Sequence, residues 1–240
     1  MSEPVELSLI IPTFNQRART LRAVQDASAW LEARFGARAE LIVVDDGSDP
    51  GEALAEADLP PGVVVVRHPR NLGKGGAVRS GMARTRGEYV AFTDSDLPFS
   101  LEPLGDTLAR LRDGADIVIG DRLHPDSVAS VSVSRARRLS SVVYTWMVQH
   151  ALGLDYADTQ CGYKGYRGAV ARDLFGRLRV TSFAFDAELL LRAQAAGYRV
   201  SRQPVRLLHN DDSSVRLARH APRMLIDMVR LAWWRLRRAL

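Results

Sequence analysis

Two aspartates stand directly after a run of strand-forming residues in the middle of the chain. Asp94 and Asp96 are two residues apart, and the stretch "YVAF" that precedes them is aromatic and aliphatic. Carboxylates at this spacing supply oxygen ligands to a hard cation such as Mg²⁺ or Mn²⁺, which takes its other ligands from water and substrate phosphates. The pair therefore predicts a divalent-metal site. A simple turn and a carboxylate dyad for glycoside hydrolysis are the alternatives.

A second acid pair, Asp45 and Asp46, ends the apolar stretch 39–46 in the same way. Either pair alone is also compatible with ordinary loop chemistry. Two pairs that each close a buried strand favour a binding site, because ligands of open α/β sheets bind outside the carboxyl ends of the strands. A zinc or soft-metal site is not expected, since one cysteine and five scattered histidines offer no suitable spacing.

The glycine-rich stretch "RNLGKGGAVRSG" (70–81) has the composition of a phosphate cradle. Its glycines allow close approach of the backbone, Lys74 supplies a positive charge, and a helical pattern follows. The glycine spacing fits neither a P-loop nor a GxGxxG dinucleotide fingerprint. A plain helix start is the alternative interpretation.

Alternating strands and helices must position these residues. Apolar runs predict strands over 7–12, 39–46, 62–68, 88–94 and 115–120, and helical patterns fall at 20–35, 75–86 and 101–112. Continuous apolar strands separated by helices are typical of a parallel sheet that is covered on both faces. The sequence therefore predicts an α/β fold with a Rossmann-like, mostly parallel sheet.

Composition limits the class of protein. A chain of 240 residues can form one large core, and it contains no run of about 18 apolar residues that would predict a membrane span. Cys161 is the only cysteine and the N-terminus lacks the basic region of a signal peptide, so we expect a cytoplasmic protein without an internal disulfide. The net charge is +5, but residues 216–240 carry +6, so the basic character belongs to the C-terminal segment.

Seven motifs along the chain occur in an order that resembles the inverting GT-A glycosyltransferases. They are "IIPTFN" (10–15), "VVDDGS" (43–48), "NLGKGGAVRSGMARTRG" (71–87), "DSDL" (94–97), "GDR" (120–122), "DTQCGYK" (158–164) and "FDAELL" (185–190). Within this class the chain is most similar to the dolichyl-phosphate glucosyltransferase and polyprenyl-phosphate mannosyltransferase group. The resemblance implies a GT-A fold and transfer of a hexose, with glucose favoured, from a nucleotide diphosphate sugar to a polyprenyl phosphate with inversion.

The resemblance also implies roles for individual residues on the donor side. The nucleotide sugar, UDP-glucose in preference to GDP-mannose, would be bound by Pro12, Thr13, Asn15, Asp46, Lys74, Asp94 and Arg216. Mg²⁺ or Mn²⁺ would be bound by Asp94 and Asp96, with Asp96 as the principal ligand. The cation would act as a Lewis acid on the departing diphosphate.

On the acceptor side the resemblance implies arginines rather than a general base. A lipid phosphate is already largely ionised near neutral pH and needs only to be neutralised and aimed. Arginine forks suit this task. The predicted acceptor-phosphate residues are Arg122, Arg135, Arg137, Arg138 and Ser141, and the predicted catalytic residues are Asp96, Arg122 and Arg137.

The sequence departs from the pattern of the group at two places. Gln16 follows the first-strand asparagine, where an acid is usual. The later "GSK" or "GSR" element appears as "DDSSVR" (211–216), so Arg216 is the candidate substitute for its basic residue.

The C-terminal segment is predicted to be an amphipathic basic helix, separate from a catalytic domain over residues 1–215. Arginines recur on one side of residues 216–240, with Leu225, Met228, Val229, Ala232 and Leu236 on the other. Such a helix either lies on anionic lipid as a peripheral contact or packs on the catalytic domain. Nucleic-acid binding is not expected, because the chain has no DNA- or RNA-binding motif and its predicted site is acidic.

Alternative functions remain open at this level. Transfer to a soluble small-molecule acceptor uses the same donor site. A nucleotidyltransferase also combines an α/β sheet with metal-binding acids, although "PTFNQRAR" after the first strand has no glycine. A sugar-nucleotide-binding scaffold without activity is the third alternative.

Overall fold

A seven-stranded sheet forms the centre of the computed structural model, which describes residues 3–129, 135–208 and 217–237. Its strands lie in the order β3-β2-β1-β4-β7-β5-β8. They are β1 (Leu7–Thr13), β2 (Ala39–Asp45), β3 (Val64–Arg67), β4 (Tyr89–Phe92), β5 (Ile117–Asp121), β7 (Lys164–Arg167) and β8 (Val200–Pro204). Neighbouring strands pair in parallel except at β7, which runs antiparallel to both β4 and β5. Two short strands, β6 (Val128–Ala129) and β9 (Arg206–Leu207), form a separate ladder.

Seven helices are described in these ranges. They are α1 (Arg17–Phe35), α2 (Lys74–Met82), α3 (Pro103–Arg112), α4 (Arg135–Leu152), α5 (Gly168–Gly176), α6 (Phe185–Ala196) and α7 (Leu217–Leu236). Every predicted strand and helix is present, and the predicted α/β class is confirmed. The helix predicted over 75–86 ends earlier, at Met82, because the Thr85 hydroxyl donates to the Met82 carbonyl and closes the last turn.

The sheet separates two apolar cores. In β1, Ile10 faces one side while Leu9 and Ile11 face the other, as the two-residue period of a strand requires. The first core is covered mainly by α2, α4, α5, α6 and α7, and the second by α1 and α3. Because strands covered on both faces must be apolar throughout, β1 and β2 read as continuous apolar runs in the sequence.

The C-terminal helix is part of the first core. Met228 and Leu231 are buried in that core, and the Ser182 hydroxyl donates to Asp227 of α7 over 2.7 Å. Through these contacts α7 packs against the first core of the sheet. Of the residues on the predicted apolar side, Met228 and Ala232 pack against the core, whereas Leu225, Val229 and Leu236 are exposed.

Candidate active site

Apart from Arg216, which lies outside the described residues, the predicted donor residues gather where β1, β2 and β4 end. These three strands are adjacent and parallel, so their carboxyl ends form one edge of the sheet. The Thr93 amide donates to the Ile10 carbonyl, and the pairing of β1 with β4 stops there. Pro12 lies two residues further on, where its missing N–H costs the sheet no hydrogen bond to β4.

The loop after β1 is held to the loop after β2. The Thr13 hydroxyl lies 2.6 Å from that of Thr20 in α1, which fixes the start of the helix. Asn15 adopts a left-handed φ of 52° and exchanges hydrogen bonds with Asp49. The Asn15 amide also donates to Ser48. Thr13 and Asn15 thus lie at the predicted edge and join its two loops.

The Asp46 carboxylate organises the glycine-rich loop before α2. It accepts hydrogen bonds from the amides of Leu72 and Gly73, and its Oδ1 lies 2.7 Å from Nδ1 of His68. Asp45, its neighbour, accepts from the Ser48 amide. The two acid pairs share a sheet edge, and the observed contacts of Asp45 and Asp46 are with the loops that they fix.

The glycines of the predicted cradle approach the protein closely. A Cβ on Gly73 would lie 2.5 Å from the Thr181 carbonyl oxygen, and one on Gly75 would lie 2.6 Å from Cβ of Phe185. Gly73 also has a φ of 92°, which side-chain-bearing residues rarely adopt. These glycines let the start of α2 pack against the loop before α6. This packing fixes the backbone at Lys74.

Asp94 and Lys74 form the ion pair at the centre of the edge. Nζ of Lys74 lies 2.5 Å from Oδ1 of Asp94, and the two side chains are 16% and 33% exposed. Burial opposes the charge of Lys74, yet the nearby carboxylates of Asp94 and Asp186 raise the pKa of Lys74 above its usual value. Lys74 is therefore a firmly charged ammonium beside the predicted metal ligand.

A tight turn carries Asp96. The Leu97 amide donates to the Asp94 carbonyl, and Leu97 has a left-handed φ of 43°. Asp96 is half-buried in this turn. The Ser95 hydroxyl donates to the side-chain oxygen of Gln16 over 2.9 Å, so the residue that replaces the usual acid ties the first loop to the turn.

A second lysine–aspartate pair is more deeply buried and also lies beside the Phe92 ring. Nζ of Lys164 lies 2.7 Å from Oδ1 of Asp186, and the side chains are only 1% and 4% exposed. Burial raises the pKa of Asp186 above its usual value, although the charges of Lys164 and Lys74 oppose this. Both lysines lie over Phe92, with Nζ 6.0 Å from the ring centroid for Lys74 and 5.6 Å for Lys164.

Arg122 forms a two-pronged pair with Asp158. Its Nε donates to Oδ2 of Asp158 over 2.6 Å and its Nη2 donates to Oδ1 over 2.8 Å. Burial opposes ionisation of Asp158, but these bonds and the charge of Arg122 lower its pKa below the usual value. The predicted acceptor arginine is thereby fixed in position at the end of β5.

Cys161 is a packing residue. It is fully buried, and a Cβ on Gly120 would lie 2.7 Å from its Sγ. Burial raises the pKa of the Cys161 thiol to about 12, so the thiol stays protonated at neutral pH. A nucleophilic role for this cysteine is thus excluded at neutral pH.

The other predicted acceptor residues belong to α4. Arg135, Arg137, Arg138 and Ser141 lie in the first turns of α4, and their side chains are not among those the structure describes. Arg216 lies outside the described residues. The roles assigned to these five residues stay predictions, as do those of the other predicted site residues, Pro12, Thr13, Asn15, Asp46, Lys74, Asp94, Asp96 and Arg122.

Three residues around the site make contacts that were not predicted from the sequence: Asp158, Gly162 and Lys164. A Cβ on Gly162 would lie 1.8 Å from Oδ2 of Asp94, so only glycine leaves room for that carboxylate. All three residues fall within "DTQCGYK" (158–164). A lysine in an otherwise buried stretch was the available signal, because such a charge requires a nearby acid.

The donor set fits Mg²⁺ or Mn²⁺. In the described part of the chain, no group of three or more Asp, Glu, His or Cys side chains is arranged to hold a metal alone. A hard cation that keeps its waters and binds a diphosphate needs only one or two carboxylates from the protein. The position beside Asp94 already holds a positive charge, the Lys74 ammonium, so a cation is electrostatically suited to it.

Comparison with known proteins shows the family. Residues 8–175 match the model of Glycosyl transferase family 2. The chain is 31% identical to Glycosyltransferase AglD of Haloferax volcanii, over 97% of this chain and 38% of that protein. It is 28% identical to the dolichyl-phosphate beta-glucosyltransferase of Saccharomyces cerevisiae, over 95% of this chain and 74% of that protein. It therefore spans well under half of AglD and about three quarters of the yeast protein.

Solved structures show the same fold. Glucosyl-3-phosphoglycerate synthase from Mycobacterium tuberculosis superposes with a TM-score of 0.67 at 18% identity, covering 95% of this chain and 80% of that one. Mannosyl-3-phosphoglycerate synthase from Rubrobacter xylanophilus superposes with a TM-score of 0.65 at 19% identity, covering 98% and 74%. The predicted GT-A fold is confirmed. With its sheet edge, its acid motif and a family match over most of its length, the chain belongs to glycosyl transferase family 2.

Proposed function

We propose that this protein transfers glucose from UDP-glucose to a polyprenyl phosphate of the dolichyl type, with inversion at the anomeric carbon. The observation that carries the proposal is the extent of similarity. Dolichyl-phosphate beta-glucosyltransferases align over 95% of this chain, so the match includes the acceptor half as well as the nucleotide half. GDP-mannose is the alternative donor.

The residues divide the chemistry between donor and acceptor. Asp94 and Asp96 would hold Mg²⁺ or Mn²⁺, which when bound supplies Lewis-acid stabilisation of the leaving diphosphate. Pro12, Thr13, Asn15 and Asp46 would shape the nucleotide pocket. Arg216 would substitute for the basic residue that reaches the diphosphate.

The acceptor phosphate needs no strong base. Its ionised oxygen attacks the anomeric carbon while the bond from that carbon to the nucleotide diphosphate breaks on the opposite face. Arg122, held by Asp158, and the arginines of α4 (Arg135, Arg137 and Arg138), with Ser141, would neutralise and aim the phosphate. Lys74 would neutralise charge on the donor side.

Transfer to a soluble phosphate-bearing acceptor is the second candidate. Structures similar to this chain include a synthase solved with Mn²⁺, UDP and glucosyl-3-phosphoglycerate. Family membership favours both glycosyl-transfer candidates over a nucleotidyltransferase. The two acceptors differ in solubility, which allows one assay to separate them.

The test is incubation with labelled UDP-glucose or GDP-mannose, a polyprenyl phosphate together with 3-phosphoglycerate, and Mg²⁺ or Mn²⁺, followed by organic extraction. We expect label in the organic phase with UDP-glucose, and none after EDTA. Asp96→Asn should abolish transfer, whereas Asp26→Asn on the exposed face of α1 is the matched control. Label that stays in water on 3-phosphoglycerate would support the soluble acceptor, and metal-independent transfer would remove the metal role.

Contact with the membrane surface follows from a lipid acceptor. No helix in the described ranges is long and apolar enough to span a bilayer. Besides its buried face, α7 has an outward apolar face formed by Leu225, Ile226, Val229, Trp233 and Leu236, all about half exposed or more. Arg223, Arg230 and Arg237 lie at seven-residue intervals beside it. We propose residues 1–215 as the catalytic domain and 216–240 as a basic helix that contacts anionic lipid from the cytoplasmic side.

Removing residues 216–240 would not test this contact cleanly, because it would also strip Met228 and Leu231 from the core. Flotation with anionic liposomes should instead compare Val229→Gln with Val128→Gln, since Val128 in β6 is also more than half exposed. We expect Val229→Gln alone to lower recovery in the lipid fraction. Equal recovery of both variants and the parent protein would remove the proposed contact.

A further inference from the structure

Asp94 already has a cation in its coordination range, and that cation is the side chain of Lys74. The ammonium Nζ lies 2.5 Å from Oδ1 of Asp94. The ion pair lies at the edge of the sheet, where both side chains retain contact with solvent. A divalent ion that binds Asp94 must therefore compete with a charge that the protein itself supplies.

Of the two partners, Lys74 is the one that can move. Oδ2 of Asp94 lies against Gly162, where even a methyl group would lie 1.8 Å from it, so the carboxylate has no room on that side. Lys74 holds its charge at the end of a flexible four-carbon stem, and its ammonium is not bound in a fixed two-pronged geometry. Its backbone is fixed at the first residue of α2 by the contacts of Asp46 and Thr181 with the preceding loop.

A second charge prevents Lys74 from withdrawing into the protein. The buried Asp186 lies close enough to influence Lys74, but its carboxylate is engaged by Lys164 at 2.7 Å. The interior position is thus already occupied by another ammonium. The remaining direction for Lys74 is outward, over the carboxyl edge of the sheet, where the predicted donor diphosphate would lie.

We propose that Lys74 occupies Asp94 when the donor site is empty and moves to the donor diphosphate when a divalent ion takes Asp94. This inference rests on the proposed function, because it requires a metal and a nucleotide diphosphate. Like charges repel at this distance, so Lys74 and the metal do not share Asp94. Metal alone must displace Lys74 without compensation, whereas metal with diphosphate gives the displaced ammonium a new partner. The two ligands therefore bind cooperatively, and Lys74 is a positioning residue that couples them.

Mn²⁺ binding tests this coupling without any measurement of activity. Free Mn²⁺ is followed by electron paramagnetic resonance in titrations with and without UDP, for the parent protein, Lys74→Met and the matched control Lys74→Arg. We expect Lys74→Met to bind Mn²⁺ alone about tenfold more tightly than the parent, and to show a smaller enhancement by UDP, since only the direct contact of Mn²⁺ with the diphosphate remains. Lys74→Arg keeps a charge and should retain the parent pattern. A residue with only a structural role would weaken both affinities together.

The outcomes separate this proposal from the proposed function. If the parent binds Mn²⁺ with UDP but Lys74→Met binds Mn²⁺ alone no more tightly, the exchange is refuted and the function stands. If the parent binds no Mn²⁺ even with UDP, metal dependence and the exchange fail together. Thermal unfolding of each variant verifies folding, and the ratio of Mn²⁺ affinities with and without UDP in the parent is a second measurement. A ratio near one in the parent also overturns the proposal.

Discussion

The two lysine–aspartate pairs beside Phe92 have the same chemistry but differ in burial. Lys74–Asp94 lies at the sheet edge with both side chains partly exposed, whereas Lys164–Asp186 is almost fully buried. A partly exposed pair is screened by water and contributes little stability, so its partners can be exchanged for a ligand. A buried pair cannot be broken without leaving a bare charge in the core. Burial, and not residue type, therefore separates the exchangeable pair from the structural one.

The largest expected effect is the loss of the buried lysine. Lys164→Met leaves Asp186 without its counter-ion, and we expect the free energy of unfolding to fall by about 3–5 kcal/mol in urea titrations. The double variant Lys164→Met/Asp186→Leu should regain most of this loss, because it removes both charges. A single variant as stable as the parent would show that the buried pair is not structural.

A methyl group at position 162 should damage the edge pair without harming the fold. In Gly162→Ala the Asp94 carboxylate must turn away from the new Cβ, and displacing a positioned group by about 1 Å can cost on the order of 100-fold in activity. Because Asp94 is partly exposed, we expect the free energy of unfolding to change by less than about 1 kcal/mol. Gly105→Ala in α3, where a Cβ meets nothing within 4 Å, is the control. Equal activity of the two variants would argue against a role for Asp94.

The Arg122–Asp158 pair combines a buried and a partly exposed partner, since Asp158 is buried and Arg122 is about a third exposed. Arg122→Gln should lower the free energy of unfolding by about 1–2 kcal/mol at neutral pH. Because the folded-state pKa of Asp158 is lowered, this contribution is present above its usual value of 3.8 and is lost as the pH falls through the lowered pKa. The deficit of the variant, measured by urea unfolding between pH 7 and pH 3, should therefore shrink on acidification. A deficit that grows towards acid pH would contradict the assignment.

The smallest expected effect on stability is that of the edge lysine. Lys74→Met should change the free energy of unfolding by less than about 1 kcal/mol, because a partly exposed ion pair contributes little to stability. Circular dichroism in urea, run beside Lys164→Met, makes the comparison direct. A loss in Lys74→Met as large as that in Lys164→Met would remove the distinction between the two pairs.

Much of the fold could be predicted from the sequence because its strands are covered on both faces. Such strands must be apolar along their whole length, and this pattern predicts β1, β2, β4 and β5. Strand β7, "KGYR", does not, since its buried lysine is neutralised by Asp186, 22 positions further along the chain. A local pattern cannot show that compensation.

For the candidate site, the sequence by itself determined the acids, their spacing, their place after buried strands and the order of the family motifs. It treated Asp46 and Asp94 alike, as carboxylates at the ends of parallel strands. Only the tertiary structure decided that Asp46 holds the loop before α2 while Asp94 meets Lys74, and that the apolar residues of α7 are divided between the core and solvent. The physical reason is that a strand end is set by local apolar spacing, whereas the partner of a charge depends on which distant segment packs beside it.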